Sequence, residues 1–277
     1  MVNKYLLEDI IKRAIIEDLN NGDVTTDNLI GDNHISSAIM TVKEDGIVSG
    51  FFVAKKIFEM MDDELIFRML VDEGTKVKKG TDILEIQGKT KSILKAERLA
   101  LNFMQRMSGI STLANKFSEI VKDYDVRIVD TRKTTPNLRI LEKAAVKIGG
   151  CYNHRYNLSD AVMIKDNHIV ASGGIRNAVE KIRENIPHTT KIEVEVQTIK
   201  MLKEALAVKA DIIMLDNMSN ELMKEAVEIN NKKAILEASG GINEETVLDV
   251  AKTGVDIISL GALTHSYKSL DISLNIK

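Results

Sequence analysis

Cationic side chains are concentrated in residues 130–169 of a chain whose formal net charge is −3. They are Arg132, Lys133, Arg139, His154, Arg155, Lys165 and His168. These residues stand beside turn glycines and at the ends of apolar runs, where a folded protein can aim them inward. The planar fork of arginine matches carboxylates, whereas lysine supplies a point charge. The mixture predicts a site for a rigid anion with more than one carboxylate.

Apolar segments beyond Val126 bring a second set of polar residues to the same region. These segments alternate with amphipathic helices, which predicts a parallel sheet. No G-x-G-x-x-G follows any of them, so we favour a closed α/β barrel over an open doubly wound sheet. The carboxyl ends of barrel strands carry the chemistry and converge on one pocket. The segments end at Asp130, Lys165, Glu195, Asp216, Ser239 and Gly261. The alternative is that each strand simply leaves through a polar residue into a loop.

The acidic and glycine-bearing strand ends suggest a sugar phosphate as a second ligand. Glu195 and Asp216 could bind Mg²⁺, hold sugar hydroxyls or act as acid and base, or could be a pair of solvated strand ends. Backbone N–H groups at Ser239-Gly240-Gly241 and at Gly261 could cradle a phosphate, as late loops of such barrels often do. A plain turn is the alternative. Together these residues predict a phosphorylated sugar meeting a carboxylated partner.

The residues before Val126 follow a different pattern. Apolar residues from Leu6 to Ile15 recur at helical spacing, and short strands punctuated by glycines follow. A long helix is predicted over 92–121, with Gly109 dividing a part in the first domain from a part leading into the second. We therefore predict an N-terminal mixed α+β sandwich domain over 1–109, joined by the C-terminal segment 268–277. The incomplete α/β barrel is predicted over 110–267.

Composition excludes several classes of protein. At 277 residues and 44% hydrophobic content, the chain can bury a sizeable core. No apolar run reaches the roughly 18 residues of a membrane helix, and the N-terminus does not resemble a signal peptide, so we expect a cytoplasmic protein. The chain has a single cysteine, Cys151, which excludes an internal disulfide. We predict that Cys151 is a small packing residue. The slightly acidic pI and the lack of Trp argue against nucleic-acid binding.

Several motifs, in order, resemble those of the quinolinate phosphoribosyltransferase family. They are DTRKT, the run GG-x-x-NHR-x-x-L-x-D-x-x-x-IKDNH, EVEV, LDN, SGG and GALTHS. EDLNNGDVTTD and ERLALNFMQRMSGIST, nearer the N-terminus, resemble the same family, so the likeness spans nearly the whole chain. It implies the same two-domain fold, with an incomplete barrel. It also implies a homodimer, which could assemble further into hexamers, whose active sites each receive an arginine from the neighbouring subunit. The matching residue here is Arg98.

The resemblance implies an enzyme of NAD biosynthesis, a decarboxylating pentosyltransferase. Quinolinate and phosphoribosyl pyrophosphate would give nicotinate mononucleotide, pyrophosphate and CO₂, with Mg²⁺ on the pyrophosphate. The substrate-binding residues it implies are Arg98, Thr131, Arg132, Lys133, His154, Arg155, Lys165, Glu195, Asp216, Ser239, Gly240, Gly241 and Gly261. Lys133, Lys165, Glu195 and Asp216 would also be catalytic, with Lys133 near the decarboxylating carbon. Glu195 and Asp216 would hold the ribose hydroxyls or the Mg²⁺, directly or indirectly.

Two other functions are weighed against this interpretation. A phosphoribosyltransferase-like protein associated with molybdate transport shares the fold but not the acceptor contacts, and the intact NHR and IKDNH favour the quinolinate enzyme. The segment EGTKVKKGTDILEIQG at 73–88 resembles half of a lipoyl-type hammerhead, which suggests a non-catalytic carrier or binding module. It lacks a modification lysine in the proper turn, and a carrier has no need of charged strand ends.

Overall fold

The computed structural model describes residues 2–277, which form two compact units. The helices are α1 (Lys4–Leu19), α2 (Val24–Leu29), α3 (Phe51–Met61), α4 (Thr90–Ile120), α5 (Arg139–Ile148), α6 (Asp166–Ser172), α7 (Ile175–Arg183), α8 (Ile199–Ala207), α9 (Asn220–Asn230), α10 (Val247–Ala251) and α11 (Ala262–His265). The strands are β1 (Ile35–Val42), β2 (Gly46–Ile47), β3 (Ile66–Met69), β4 (Lys76–Val77), β5 (Asp82–Lys89), β6 (Arg127–Val129), β7 (Val162–Ile164), β8 (Ile192–Val196), β9 (Ile212–Asp216), β10 (Ile235–Ser239), β11 (Ile257–Ser259) and β12 (Ile272–Ile276).

The first unit comprises the residues up to 115 together with 134–150 and 266–277. Its main sheet has the order β12-β1-β5-β3, and all three pairings are antiparallel. Met40 and Leu84 of this sheet are fully buried, as are Ile57 and Phe58 of α3, because one face of each element is apolar. The prediction from sequence placed the domain boundary at 109, and it did not separate 134–150 from the barrel.

Helix α4 is continuous through Gly109, in agreement with the single long helix predicted over 92–121. A Cβ at Gly109 would lie 2.8 Å from the Cα of Ser269, so the glycine is needed for the close approach of the C-terminal segment. Beyond that approach the chain forms β12, which pairs with β1 from Ala38↔Ile276 to Val42↔Ile272. The C-terminal strand therefore belongs to the sheet of the first unit.

The second unit comprises 116–133 and 151–265, and its sheet is parallel throughout. The strand order is β6-β11-β10-β9-β8-β7, so each later strand lies beside its successor and the first strand lies beside the last. This cyclic order belongs to a barrel rather than to a doubly wound sheet. Within residues 2–277 no ladder joins β6 to β7, although Val129 makes a parallel bridge to Tyr152.

The predicted fold class, an incomplete α/β barrel with an N-terminal mixed α+β domain, is confirmed. Buried side chains such as Val194, Ile213 and Leu236 alternate along the strands with residues that face the other side of the sheet. Hydroxyl side chains then start the following helices: Thr198 caps α8 and Ser219 caps α9. In the described part of the chain, no helix has both the length and the apolar composition needed to cross a bilayer.

Candidate active site at the carboxyl ends of the barrel strands

The polar residues predicted at the strand ends share one edge of the parallel sheet. Asp216 is the last residue of β9 and lies in register with Ser239, the last residue of β10. Glu195 pairs with Met214, two residues before Asp216, and Lys165 follows β7 directly. Residues in register on adjacent strands point to the same face, as do residues i and i+2 of one strand. Glu195, Asp216 and Ser239 therefore project from the same face of the sheet, near its carboxyl edge.

Asp130, directly after β6, holds the segment that carries the predicted acceptor cations. Its side chain is fully buried, and its carboxylate accepts hydrogen bonds from Asn153 Nδ2 at 2.7 Å and from the backbone N–H of His154 at 2.9 Å. A buried carboxylate is costly unless its oxygens are hydrogen-bonded, so this arrangement fixes the NHR segment against β6. Asp130 is thus a buried structural residue, whereas Arg132 and Lys133, which follow it, are exposed.

The guanidinium of Arg155 is anchored by two contacts with the protein. It donates to the carbonyl of Ala161 at 2.7 Å and lies 3.7 Å from Sδ of Met163. Burial lowers the pKa of Arg155, and the charge of the neighbouring Arg132 lowers it further. Two guanidinium groups close enough to repel each other form a favourable site for a multivalent anion. The structure therefore brings together two of the predicted acceptor cations.

His154 makes its contacts toward the protein. Its Nδ1 accepts the backbone N–H of Arg155 at 2.7 Å, and its Nε2 lies 3.3 Å from Glu193 and 3.5 Å from Glu237. An Nδ1 that accepts must lack a proton, so Nε2 carries the hydrogen and faces the two carboxylates. Neither Glu193 nor Glu237 was singled out from the sequence. The sequence signal that could have identified them is a carboxylate inside an otherwise apolar strand, Glu193 in KIEVEV and Glu237 in KAILEAS.

Lys165 and Glu195 form an ion pair at the opening of the site, between Nζ and Oε2. The backbone N–H of Lys165 donates to Nδ1 of His168 at 3.0 Å, so His168 braces the loop that carries the lysine. Asp216 instead accepts amide donors, from Asn217 at 3.1 Å and Gln197 at 3.4 Å. Within residues 2–277, Asp216 forms no ion pair, in contrast to Glu195.

Glycines in the loops after β10 and β11 allow neighbouring groups to come close to the backbone. Gly240 and Gly241 have φ of 99° and 62°, and a Cβ at Gly240 would lie 2.9 Å from the backbone nitrogen of Asn217. At Gly241 a Cβ would meet nothing within 4 Å, so this backbone borders open space. A Cβ at Gly261 would lie 3.0 Å from Cδ of Lys133, which shows that the lysine stem runs alongside this glycine.

The loop after β6 holds the remaining predicted residues. The hydroxyl of Thr131 accepts the backbone N–H of Lys133 at 3.0 Å, and the hydroxyl of Thr264 donates to the carbonyl of Lys133 at 2.8 Å. These bonds fix the backbone of Lys133, while its side chain remains largely exposed. Arg132 is exposed as well, which suits a ligand-binding cation. The predicted residues of this loop thus lie beside the glycine loop at 261.

Other residues flagged from the sequence lie elsewhere. Arg98 is exposed on α4, and Arg139 donates to Thr134 Oγ1 at 2.9 Å; both belong to the first unit. Arg139 also lines a cavity of about 900 Å³ whose lining residues all belong to that unit. Burial raises the pKa of Cys151 to about 12, which keeps the thiol protonated and agrees with a packing role.

Comparison with known proteins decides the family. Residues 23–108 match the quinolinate phosphoribosyl transferase N-terminal domain, and residues 110–275 match the C-terminal domain of the same family. The chain belongs to the quinolinate phosphoribosyltransferase family. This confirms the family predicted from the motifs, and it makes the protein an enzyme rather than a carrier module.

Individual members of the quinolinate phosphoribosyltransferase family are similar over their whole length. A probable nicotinate-nucleotide pyrophosphorylase [carboxylating] of Bacillus subtilis is 40% identical over 275 residues, which is 99% of this chain and 95% of the relative. The mitochondrial quinolinate phosphoribosyltransferase [decarboxylating] 2b of Nicotiana tabacum is 43% identical, covering 98% and 82%. The nicotinate-nucleotide pyrophosphorylase structure from Francisella tularensis is 38% identical, covers 100% and 98%, and superimposes with a TM-score of 0.96.

Proposed function

We propose that this protein transfers phosphoribose from phosphoribosyl pyrophosphate to quinolinate and releases CO₂. The ring nitrogen would attack the anomeric carbon as the bond to pyrophosphate breaks. The bond between ring carbon 2 and its carboxylate would then break, CO₂ would leave, and carbon 2 would take a proton to give nicotinate mononucleotide. The observation that carries the proposal is the anchoring of Arg155 on the barrel side, where its guanidinium donates to the carbonyl of Ala161 at 2.7 Å and where burial and the positive charge of the neighbouring Arg132 lower its pKa.

Quinolinate would bind through its two adjacent carboxylates. Arg132, Arg155 and Lys165 provide the charges, and Arg98 of the partner subunit would complete the set. The anchoring of Arg155 behind its guanidinium supports this role, because a preorganised cation loses little motion when it binds a carboxylate. His154 would then contribute mainly by holding this segment, since both ring nitrogens already have protein partners.

Phosphoribosyl pyrophosphate would occupy the other half of the strand edge. Glu195 and Asp216 would hold the ribose hydroxyls and stabilise the positive charge that develops at the anomeric carbon. The 5′-phosphate would bind to backbone N–H groups around Ser239, Gly240, Gly241 and Gly261. Open space beside Gly241 and the positive φ of both glycines support this placement, because a backbone without Cβ atoms can come close to a phosphate.

Magnesium would enter with the pyrophosphate rather than occupy a cage of the protein. Glu195 is neutralised by Lys165, which leaves Asp216 as the carboxylate suited to a hard cation, directly or through water. This donor set fits an ion that takes most of its ligands from phosphate and water. When bound, Mg²⁺ would neutralise charge on the pyrophosphate and make it a better leaving group.

Decarboxylation needs less from the protein than ribosyl transfer does. Once the nitrogen is ribosylated, the pyridinium ring withdraws electrons from carbon 2 and stabilises the pair left by CO₂. Orientation of the departing carboxylate and a nearby proton then suffice, and Lys133 is our candidate for that position. Its backbone is fixed by Thr131 and Thr264, and its stem lies along Gly261.

The working enzyme would be a cytoplasmic homodimer, with further assembly into hexamers left open. A mixing experiment tests whether subunits share sites. Subunits carrying Arg98→Ala are mixed with subunits carrying Arg132→Ala, each inactive alone. Shared sites predict that about a quarter of the sites regain both arginines on random reassociation, whereas independent subunits stay inactive.

The activity itself is tested by an acceptor competition. Pure protein is incubated with phosphoribosyl pyrophosphate, Mg²⁺ and equal amounts of quinolinate and nicotinate, and CO₂ and nicotinate mononucleotide are measured. We expect one CO₂ for each nucleotide formed. Nucleotide without CO₂ would mean that nicotinate is the acceptor, and no product at all would reject the proposed reaction.

A further inference from the structure

Glu193 and Glu237 form a buried acidic pair in the interior of the barrel. They lie on β8 and β10, which are separated by β9, and are only 2% and 1% exposed. Glu237 is in register with Met214, and Met214 with Glu195, so Glu193, Glu195 and Glu237 face the same side of the sheet. Glu193 and Glu237 lie deeper than the strand edge, and the catalytic scheme above uses neither of them.

The carboxylate oxygens of the acidic pair do not all have hydrogen-bond partners. Within residues 2–277, Oε1 of Glu193 and Oε1 of Glu237 are buried and have no hydrogen-bond partner. Burying two carboxylates together costs free energy through desolvation and mutual repulsion, so a protein that keeps them gains something elsewhere. Burial, followed by the charge of Glu193, raises the pKa of Glu237 to about 7.

His154 is a shared partner of the two carboxylates. Its Nε2 faces them at 3.3 and 3.5 Å, and the side chain is only 14% exposed. The opposite ring nitrogen accepts the backbone N–H of Arg155 at 2.7 Å. One imidazole thus connects the barrel interior to the backbone of an acceptor-binding arginine. Rotation of this ring would break contacts on both sides at once.

We propose that Glu193 and Glu237 are positioning residues for the acceptor, which lock the imidazole of His154 and through it the backbone of Arg155. The proposal rests on the proposed function, in which Arg155 binds a quinolinate carboxylate. The acidic pair fixes the ring plane and keeps the hydrogen on Nε2, so that Nδ1 stays an acceptor for Arg155. Asp130 holds the same segment from the other side through the N–H of His154.

The primary variant is the double replacement Glu193→Gln with Glu237→Gln. The amides keep the volume but replace both carboxylates and offer donors where Nε2–H needs acceptors. We expect the KM for quinolinate to rise about tenfold and the KM for phosphoribosyl pyrophosphate to change less than about twofold. Circular dichroism verifies folding, and Glu193→Gln alone is the gentler variant if the double one does not fold.

Two controls separate positioning from general effects of charge. Asp211→Asn and Asp256→Asn remove carboxylates that accept backbone N–H groups at the amino ends of the strands, at 2.9 and 2.8 Å. These variants should leave the KM for quinolinate unchanged. If the acidic pair only lowered the positive potential of the site, its removal would instead tighten quinolinate binding, and that result would overturn the proposal.

A double-mutant cycle tests the route through His154. In a His154→Ala background, the two glutamine replacements should have little further effect on the KM for quinolinate, because the link is already broken. Fully additive effects would overturn the proposal. So would a stoichiometric metal ion in the purified wild-type enzyme that is lost from the double variant, since His154, Glu193 and Glu237 place ligand-type atoms within 4.8 Å of one another.

The outcome for positioning is independent of the outcome for the activity. If the wild-type protein makes no nicotinate mononucleotide, the proposed function fails. If the wild-type protein is active and the double variant binds quinolinate normally, only the positioning role fails. A spectroscopic readout supplements the kinetics: the imidazole nitrogens of His154, assigned with the His154→Ala variant, should report the Nε2–H tautomer in the wild type and a mixture of tautomers in the double variant.

Discussion

The buried carboxylate of Asp130 accepts the backbone N–H of His154 at 2.9 Å, which joins the end of β6 to a segment 24 residues later. This bond lets a buried carboxylate fix the segment that carries the proposed acceptor cations. The same carboxylate receives Asn153 Nδ2 at 2.7 Å. Asp130 at this strand end is therefore structural, whereas the exposed Arg132 and Lys133 that follow it are the residues proposed to contact a ligand.

Asp130→Asn should weaken both the fold and acceptor binding. One of the two donors would face an amide NH₂, which leaves a buried polar group unsatisfied at a cost of about 2 kcal/mol. Urea unfolding measures this loss, and initial rates should show a higher KM for quinolinate. Asp211→Asn, which also alters a carboxylate that accepts a backbone N–H, is the matched control. A destabilised variant with an unaltered KM for quinolinate would show that Asp130 does not set the acceptor site.

Arg155→Lys should raise the KM for quinolinate about tenfold or more and leave the KM for phosphoribosyl pyrophosphate nearly unchanged. Lysine keeps the positive charge but loses the two-pronged contact with a carboxylate and the bond to the carbonyl of Ala161. Steady-state kinetics with each substrate varied in turn measures the effect. An equal rise in both KM values would place Arg155 outside the acceptor site.

Lys133→Ala should lower turnover more than it changes quinolinate binding. If this ammonium group orients the departing carboxylate or delivers a proton, its removal should slow turnover by about a hundredfold. Single-turnover measurements and direct titration of quinolinate separate the two effects, and Lys233→Ala, at an exposed site before β10, is the control. A variant that binds quinolinate normally and turns over at the parent rate would remove Lys133 from the mechanism.

Glu237 should make stability depend on pH. Burial, followed by the charge of Glu193, raises its pKa from the ordinary 4.5 to about 7, against smaller opposing effects of His154, Ser259 and Lys165. A raised carboxyl pKa favours the folded state below pH 4.5, and this contribution is lost as the pH rises to about 7. The Glu237→Gln variant stays uncharged, so its stability relative to the wild type should increase from pH 5 to pH 8. Urea unfolding at several pH values measures this, and a constant difference would contradict the raised pKa.

The sequence predicted the strand edge well because the signal is local. Each barrel strand is an apolar run, and the residue that ends it can be read directly, as at Asp216 and Ser239. The register of β9 with β10 then places those two residues side by side. The family motifs supplied what periodicity alone could not, namely a proposal for which of these residues bind the acceptor and which bind the sugar phosphate.

Long-range packing was the part that the sequence did not reveal. The association of 134–150 with the first unit depends on tertiary contacts and leaves no periodic trace. Glu193 and Glu237 look like ordinary strand residues, because nothing local indicates that His154 lies between them. The tautomer of His154 likewise depends on a bond to its own neighbour, Arg155, and on two distant carboxylates.

The most direct test follows the fate of one carbon. Quinolinate labelled in its 2-carboxylate is incubated with the enzyme and Mg²⁺, with and without phosphoribosyl pyrophosphate. We predict one labelled CO₂ for each nicotinate mononucleotide and each pyrophosphate, and none without the phosphoribosyl donor, because ribosylation creates the electron-withdrawing ring. Labelled CO₂ without the donor, or nucleotide that keeps the label, would contradict the assignment of this strand edge to quinolinate phosphoribosyl transfer.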